Sequence, residues 1–391
     1  MRVFVIPAWH PTPTKPLWAN WVLPHISLLR ENGIEAYVLQ LGLDDEPIPE
    51  GSDPWNQPIR LLDPCRLYVP VPRPKKSYQR NRFSYGKWLS NYTLRLDDLY
   101  QRATDQWGEP DILHAHVSLP AGFTAARIGK NYDIPVIVQE HYSGFESDSR
   151  FFWRVGSFIR KMGRQIQGFY AVSPGYAARI ERTGLLKVAG VLPNPVDTEL
   201  FSRIDLSSNT SSFQIVTAGS MSWIKGTDLL FQALYLLMDV LDWRLTVFGS
   251  NSGQDKYAQW LNVDKFAERV TLPGLVSQTD LVSAYSKSDL YVVSSRIETA
   301  NVSMLQALAC GVPVVTTSCG APETLIDDTV GVAIAQNSPE ALAEGILQVA
   351  RSHERFDREY LRKFVVDRYS KPAVAESVKE AYINAIAQKA K

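Results

Sequence analysis

The chain has 391 residues, of which 45% are hydrophobic and 21% are charged, and its 41 basic residues balance its 41 acidic residues. This composition is typical of a globular protein with enough material for two or three domains, and it argues against disorder and against membrane embedding. The zero net charge argues against nucleic-acid binding, which normally requires a basic excess. We therefore expect no nucleic-acid partner.

The start of the chain and its cysteines bear on the cellular compartment of the protein. The first apolar run, Val3 to Ile6, is broken at Pro7 and is too short for a signal peptide. No later window approaches the roughly 20 apolar residues of a transmembrane helix. The three cysteines form no CxxC pair and have no companion histidines at zinc spacing, which indicates reduced structural thiols. We expect a cytoplasmic protein.

Short apolar runs recur between longer segments with helical spacing, which is the pattern of βα units in a parallel sheet. Six runs fall in the first half of the chain and five in the second. Two doubly wound sheets account for both sets, so the predicted fold class is α/β. The predicted strands are 3–6, 36–39, 112–116, 136–140, 169–172, 188–192, 214–218, 245–249, 270–272, 290–293 and 312–316.

A break in the pattern separates the two halves. The sequence Pro193-Asn194-Pro195 disrupts regular structure, and a polar stretch follows at 205–212, which predicts a hinge within 197–212. We predict an N-terminal domain of residues 1–203 and a C-terminal domain of residues 204–368. Residues 369–391 are predicted to form a polar amphipathic helix, which could pack on either domain.

The segment from Ser294 to Glu323 carries the most specific signal. A predicted strand ends at Val293, a turn follows, and helical spacing runs from Val302 to Ala309 before Gly311. A loop that enters a helix N-terminus at the end of a parallel strand is where α/β sheets bind ligands, and the N–H groups of the first turn favour phosphate. A diphosphate would fit there, and the Glu298 carboxylate could accept hydrogen bonds from sugar hydroxyls beside it.

The stretch ETANVSMLQALACGVPVV, followed by Gly320 to Glu323, resembles glycosyltransferase family 4. A second match is AGSMSWIKGTDLLFQAL, where a strand end and a loop lead to Lys225, Gly226 and a helix. The resemblance covers nearly the whole chain. It implies the GT-B fold, in which two Rossmann-like domains face each other across a cleft, the first for the acceptor and the second for a nucleotide-sugar donor. Weaker agreements lie at 111–116, 136–141, 171–175, 192–197 and 247–250.

The resemblance also implies roles for individual residues. Catalytic roles would fall to Lys225 at the donor diphosphate, to Glu298, and to His141, which would support the donor sugar or the acceptor hydroxyl. The family's retaining chemistry is viewed as a front-face displacement that needs no metal and no cofactor. The implied donor-binding residues are Gly219, Ser220, Lys225, Gly249, Glu298, Thr299, Ala300, Asn301, Val302 and Gln306. The candidates on the acceptor side are His10, His116 and Glu140.

Three features depart from the family's pattern. Gln306 stands where a second glutamate usually binds both ribose hydroxyls, and an amide has only one acceptor oxygen. Ser220 stands where many members have an arginine beside the diphosphate, and the loop AWHPTPTKPLWANW lacks adjacent glycines. An alternative therefore stays open, in which the chain is a catalytically degenerate sugar-nucleotide-binding partner of another glycosyltransferase. A nucleotide-sugar epimerase shares the architecture but not this combination of motifs.

The sequence constrains the acceptor and the cellular location less than it constrains the donor. A glycan, a lipid-linked acceptor and a small molecule all fit, and the resemblance suggests surface polysaccharide or glycoconjugate biosynthesis. Two basic, aromatic-rich stretches, 72–88 and 150–164, suit peripheral contact with an anionic membrane at the inner face of the cell membrane. Burial against the first sheet explains the apolar face of the second stretch equally well.

Overall fold

The chain folds into two compact units, each built around its own sheet. A computed structural model describes residues 1–11, 21–43, 52–74, 82–147, 149–204, 211–251, 253–335 and 337–390, without the side chains of 82, 146, 147 and 149–154. The first unit consists of Met1–Val172, Ala177–Pro195 and Val374–Lys391, and the second of Ser173–Tyr176 and Val196–Ala373.

The first unit contains an eight-stranded sheet. Its strands are β1 (Arg2–Pro7), β2 (Glu35–Leu43), β3 (Arg60–Asp63), β4 (Arg66–Val71), β5 (Ile112–His116), β6 (Val136–Glu140), β7 (Gly168–Ala171) and β8 (Gly190–Val191). They lie in the order β3-β4-β2-β1-β5-β6-β7-β8, and all described neighbours are parallel except β3 and β4. The winding reverses between β1 and β5, which makes the carboxyl ends of these strands the expected ligand position.

The helices of the first half connect these strands. They are α1 (Val22–Glu31), α2 (Arg82–Trp107), α3 (Phe123–Asn131), α4 (Gly144–Ser147), α5 (Ser149–Gly163) and α6 (Pro174–Arg182). A π-helical turn, Ser118–Gly122, precedes α3. The central strands β5 and β6 are buried at every position, as is usual for parallel strands covered on both faces.

The second unit contains a six-stranded parallel sheet. Its strands are β9 (Phe213–Ala218), β10 (Trp243–Phe248), β11 (Val270–Gly274), β12 (Leu290–Val293), β13 (Val314–Thr317) and β14 (Gly331–Ile334), in the order β11-β10-β9-β12-β13-β14. Its helices are α7 (Thr227–Leu236), α8 (Ala258–Leu261), α9 (Asp264–Ala267), α10 (Gln278–Ser286), α11 (Val302–Ala309), α12 (Pro339–Arg351) and α13 (Arg358–Tyr369), and the last helix of the chain is α14 (Lys371–Lys389). Here the winding reverses between β9 and β12.

The predicted α/β class with two doubly wound parallel sheets is confirmed. Each of the eleven predicted strands overlaps an observed one, and α11 has the predicted bounds. Three strands were not predicted. The edge strand β3 has exposed leucines, β4 contains Pro70, which weakens a strand prediction, and β14 is a four-residue strand that begins with Gly331.

The two units divide between Pro195 and Val196, earlier than the predicted boundary between 203 and 204. Val196 bridges to Ser370, and Phe201 is buried in the core of the second unit. The Arg362 guanidinium donates hydrogen bonds to the carbonyl oxygens of Phe201 at 3.0 Å and Thr198 at 2.8 Å. The partners Arg362 and Ser370 are far from these residues in the sequence. The polar stretch at 205–212 therefore did not indicate that the second unit begins at Val196.

The predicted terminal helix, 369–391, is α14, and it begins at Lys371 because Ser370 is extended, with φ −62° and ψ 156°. Its apolar residues belong to the core of the first unit, together with residues of β1 and α1. The second unit accordingly continues beyond the predicted end at 368, to Ala373.

The apolar face of the basic stretch 150–164 packs within the first unit. Val155, Ile159 and Met162 are buried, and Phe158 packs edge-on against Phe123 of α3. Residues 75–81 of the other stretch, and the side chains of 150–154, lie outside the described part. Within that part, no helix is both long and apolar enough to cross a membrane.

Candidate functional site

The loops that follow β9 and β12 lie side by side, because these strands are neighbours in the second sheet. Gly226, at the end of the first loop, has φ +64°, and a Cβ atom there would lie 1.9 Å from the carbonyl oxygen of Ser294. The Ser294 hydroxyl donates a hydrogen bond to the carbonyl oxygen of Lys225 at 2.9 Å. The two loops therefore touch backbone to backbone at the switch point of the sheet.

This close contact predicts a large effect of Gly226→Ala. The left-handed conformation and the clash with Ser294 should together lower the free energy of unfolding by about 3 kcal/mol. The matched control is Gly274→Ala in the same unit, where φ is +80° and the nearest atom to a Cβ lies 3.8 Å away. Urea denaturation of both variants measures the difference, and equal losses would show that the contact with Ser294 contributes nothing.

Three donors converge on one oxygen of Glu298. The Lys225 Nζ atom lies 2.7 Å from Glu298 Oε1, the Ser295 hydroxyl donates to it at 2.8 Å, and Asn301 Nδ2 donates at 3.1 Å. The Glu298 side chain is 9% exposed and that of Lys225 is 35% exposed. The structure thus brings two of the three predicted catalytic residues into a direct ion pair.

Asn301 links this ion pair to the start of α11. It has φ +69°, a left-handed conformation that asparagine tolerates better than most residues. Its Oδ1 atom accepts a hydrogen bond from the backbone N–H of Met304 at 2.9 Å, as an N-cap residue does. One side chain therefore holds both the helix N-terminus and the Glu298 carboxylate in place.

The other predicted donor-site residues lie on the same strand ends and helix. A Cβ atom at Gly249, which follows β10, would lie 2.2 Å from the Gly219 carbonyl oxygen, so these two glycines touch. Ser220 is exposed, and the Thr299 carbonyl oxygen accepts a hydrogen bond from Ser173 at 2.7 Å. Ala300 is buried, Val302 begins α11 and half-buried Gln306 lies in its second turn.

A second ion pair in this site was not predicted. The Arg296 guanidinium donates to both carboxylate oxygens of Asp228, each at 2.7 Å, and to the carbonyl oxygen of Trp223 at 2.7 Å. The hydrogen bond from Arg296 lowers the pKa of the Asp228 carboxyl. Asp228 lies in the first turn of α7 and Arg296 in the loop after β12. The pair therefore fixes the Lys225 loop against the Glu298 loop.

In the first unit, four histidine rings form one cluster near the switch point. His116 Nδ1 lies 3.0 Å from His141 Nε2, and the His114 and His116 rings stack at 4.3 Å. His25, on α1, lies 5.2 Å from the His116 ring, centre to centre. The ring of Trp21 stacks on His141 at 3.7 Å. The predicted residues His116 and His141 thus meet, with His25 and His114 as partners that were not predicted.

Burial keeps this cluster neutral. It lowers the pKa of His25 to about 4 and that of His114 to about 3, and it lowers those of His116 and His141 well below 6.5. The His25 Nε2 atom lies 3.0 Å from the Asn194 side-chain oxygen, and His114 Nδ1 lies 2.7 Å from the Tyr382 hydroxyl of α14. A neutral imidazole has one N–H donor and one acceptor nitrogen, so each ring of the cluster can donate one hydrogen bond and accept another.

Glu140, an acceptor-side candidate, is fully buried. Its carboxylate accepts hydrogen bonds from the N–H groups of Ser118 at 2.9 Å, His141 at 3.0 Å and Tyr142 at 2.8 Å, and from the Ser118 hydroxyl. Burial raises the pKa of this carboxyl, while the hydrogen bonds lower it. These contacts favour a role in positioning the loops after β5 and β6.

His10, the remaining acceptor-side candidate, contacts Pro11 and Arg66. Its Nδ1 atom lies 2.9 Å from the carbonyl oxygen of Pro11 and 3.2 Å from Arg66 Nη1. Burial lowers the pKa of His10 to about 4. Among the residues that the structure describes, no group of three His, Cys, Asp or Glu side chains is arranged to hold a metal ion.

Two family models match the chain. The model described as Glycosyltransferase Family 4 matches residues 23–200, and the model described as Glycosyl transferases group 1 matches residues 212–352. The chain belongs to glycosyltransferase family 4. This family 4 member is therefore a glycosyltransferase of the GT-B type, as the sequence predicts.

Relatives and solved structures agree with this assignment. The D-inositol 3-phosphate glycosyltransferase of Xylanimonas cellulosilytica is 28% identical over 351 residues, 80% of this chain and 82% of that protein. The sucrose-phosphate synthase of Thermosynechococcus elongatus has a TM-score of 0.76 and 15% identity, and the match covers 99% of this chain and 100% of that chain. Anabaena Alr3699/HepE, solved in complex with UDP-glucose, has a TM-score of 0.67 and 15% identity over 97% of this chain and 98% of that chain. The structural likenesses confirm the GT-B fold.

Proposed function

We propose that this glycosyltransferase moves a sugar from a nucleotide-sugar donor to an acceptor hydroxyl, with retention at the anomeric carbon and without a metal ion. The observation that carries the proposal is the 2.7 Å contact between Lys225 Nζ and Glu298 Oε1 at the switch point of the second sheet. This position suits a diphosphate, because ligands of α/β sheets bind at the carboxyl ends of strands and beside helix N-termini. The complex of Alr3699/HepE with UDP-glucose supports this class of donor.

The two charged groups would divide the donor between them. Lys225 is partly exposed, so its ammonium group can turn toward phosphate oxygens at the N-terminus of α11. Within the described part of the chain, the three donors to Glu298 all reach Oε1, which leaves Oε2 to accept a hydrogen bond from a sugar hydroxyl. Gln306, in the second turn of α11, would hold one ribose hydroxyl through its amide oxygen.

For the chemical step we propose the front-face displacement that the family resemblance implies. The acceptor oxygen forms a bond to the anomeric carbon on the face from which the diphosphate leaves, and the bond from that carbon to the phosphate oxygen breaks. The hydroxyl proton passes to the leaving phosphate oxygen. Lys225 neutralises the charge that develops on the diphosphate, which is why we expect no metal requirement.

We assign His141 to the donor sugar or the acceptor hydroxyl, as the family resemblance implies. Its contact with His116 and its stack on Trp21 fix the orientation of its ring. A general acid or base needs such a fixed ring within hydrogen-bond reach of its target. We further propose a place in surface polysaccharide or glycoconjugate synthesis, at or near the inner face of the cell membrane.

One assay tests this proposal against a degenerate, merely nucleotide-binding protein. The protein is incubated with UDP-, GDP- and ADP-sugars, and nucleotide release and the anomeric configuration of the product are followed with and without EDTA. We expect release from one nucleotide class, unchanged by EDTA, with a retained configuration. Turnover that appears only in the double variant Ser220→Arg, Gln306→Glu would favour the degenerate protein. Nucleotide-sugars that neither bind nor react would contradict both.

A further inference from the structure

A cavity of about 270 Å³ lies inside the first unit, at the carboxyl ends of its central strands. Trp9 follows β1, Leu43 ends β2, the segment from Val117 to Pro120 follows β5, and Glu140 and Tyr142 lie at and beyond the end of β6. These strands surround the switch point between β1 and β5. In a doubly wound sheet this is the position of a ligand, and the volume is close to the lower end of that of small-molecule pockets.

The walls of this cavity are mostly apolar. Trp88 donates its indole N–H to the Pro72 carbonyl oxygen at 2.8 Å, so its polar atom is already satisfied. Trp9 and Tyr142 meet edge to face at 5.5 Å. Aromatic and aliphatic side chains form most of the lining, among them Trp9, Leu43, Tyr85, Trp88, Leu119 and Phe145.

The polar side chains among the described lining residues are the charged groups of Arg73 and Glu140, the Ser118 hydroxyl, and the aromatic residues Trp9, Tyr85, Trp88 and Tyr142. Ser118 and Glu140 line the cavity, but the Glu140 carboxylate accepts hydrogen bonds from both the backbone and the side chain of Ser118. A sugar ring in this cavity would bury several hydroxyl groups against mostly apolar walls, which is costly. The other charged side chain among the described lining residues is Arg73, which is exposed and whose Nε donates to the Leu43 carbonyl oxygen at 3.4 Å. The cavity therefore suits a hydrocarbon segment with an anionic group beside it.

We propose that this cavity holds the first part of the hydrocarbon chain of a lipid-phosphate-linked acceptor, with the phosphate near Arg73. A methylene is close in size to a water molecule, whose share of the liquid is roughly 30 Å³, so the cavity accepts a chain of about nine carbons. Tyr142, in the wall, directly follows His141, so the chain would enter beside the histidine cluster. That the bound lipid is an acceptor rests on the proposed sugar transfer. Binding of its hydrocarbon chain in the cavity does not.

Binding of geranyl phosphate, geraniol, inorganic phosphate and maltose to the full chain tests the proposal. Calorimetry or quenching of tryptophan fluorescence measures each affinity. We expect geraniol to bind, geranyl phosphate to bind several-fold more tightly, and maltose to bind at least tenfold more weakly than geraniol. Tighter binding of maltose than of geraniol would overturn the proposal.

A variant that fills the cavity locates the site. Leu119→Trp should weaken geraniol binding at least tenfold, whereas Leu61→Trp, the same change on the exposed edge strand β3, should leave it unchanged. If Leu119→Trp does not fold, as judged by circular dichroism, Leu43→Phe fills the cavity from another wall. Equal geraniol affinity in a folded cavity-filling variant and in the wild type would overturn the assignment.

The same samples separate this proposal from the proposed function. Geraniol binding without any turnover of nucleotide-sugars would contradict sugar transfer and leave the cavity assignment standing. Transfer to maltose by a protein that does not bind geraniol would refute the cavity proposal and leave sugar transfer standing. Transfer to a lipid phosphate whose KM rises at least tenfold in Leu119→Trp, with kcat unchanged, would support both.

Discussion

Lys225→Ala is expected to lower kcat for nucleotide-sugar turnover by about 10²–10³-fold, the usual cost of removing one preorganised group that stabilises developing charge. The Lys225 ammonium lies within reach of a diphosphate bound at α11, and the charge on that leaving group grows in the transition state. The loss should therefore appear in kcat more than in KM. Steady-state nucleotide release at saturating donor measures it.

The matched control is Lys256→Ala, which removes an exposed lysine from the same unit. It should retain turnover within about twofold, as a change at an exposed surface residue usually does. Lys225→Ala leaves the buried Glu298 carboxylate without its cation, which is costly in itself. The double variant Lys225→Ala, Glu298→Gln removes that unpaired charge and is measured in the same series. If Lys225→Ala turned over as fast as the control, the diphosphate contact would be wrong.

The sequence predicts the loops that form the candidate site of the second unit, because the information for them is local. Each loop follows a strand that periodicity identifies, and neighbouring parallel strands bring their loops together. The family resemblance assigned Lys225 and Glu298 to one site, whereas the distance between them could not be predicted from the sequence. The Arg296–Asp228 pair could not be predicted, since two opposite charges 68 positions apart follow no pattern. It depends on the packing of α7 against the loop after β12.

The spacing of two histidines in the sequence indicates part of the histidine cluster. His114 and His116 are two positions apart on β5, so their side chains lie on the same face of the strand. That spacing predicts a pair, whereas His25 reaches the cluster from α1, which the sequence leaves unplaced. Two histidines within a buried strand are unusual, because an unpaired polar group is costly there. This spacing would have indicated His114 as a partner of His116.

The buried histidines should make the first unit sensitive to acid. Their folded-state pKa values lie below the unfolded value of 6.5, so the unfolded state binds more protons as the pH falls. The stability is fully present above pH 6.5 and is lost as the pH falls toward the folded values. At roughly 1.4 kcal/mol per pH unit, His25, with a pKa of about 4, accounts for a loss of about 3 kcal/mol. His114, with a pKa of about 3, accounts for about 5 kcal/mol.

Urea unfolding between pH 8 and pH 5 measures this dependence. His25→Gln removes one titrating group, so below pH 6.5 its stability should fall less steeply than that of the wild type, by roughly 1.4 kcal/mol per pH unit. Above pH 7.5 the two proteins should show parallel curves, because the unfolded imidazole is then neutral as well. Glu140 acts in the opposite direction, since burial raises its pKa, but it is one carboxyl against several histidines. Equal slopes below pH 6.5 in both proteins would mean that burial does not lower the pKa of His25, and the neutral state assigned to this ring would be wrong.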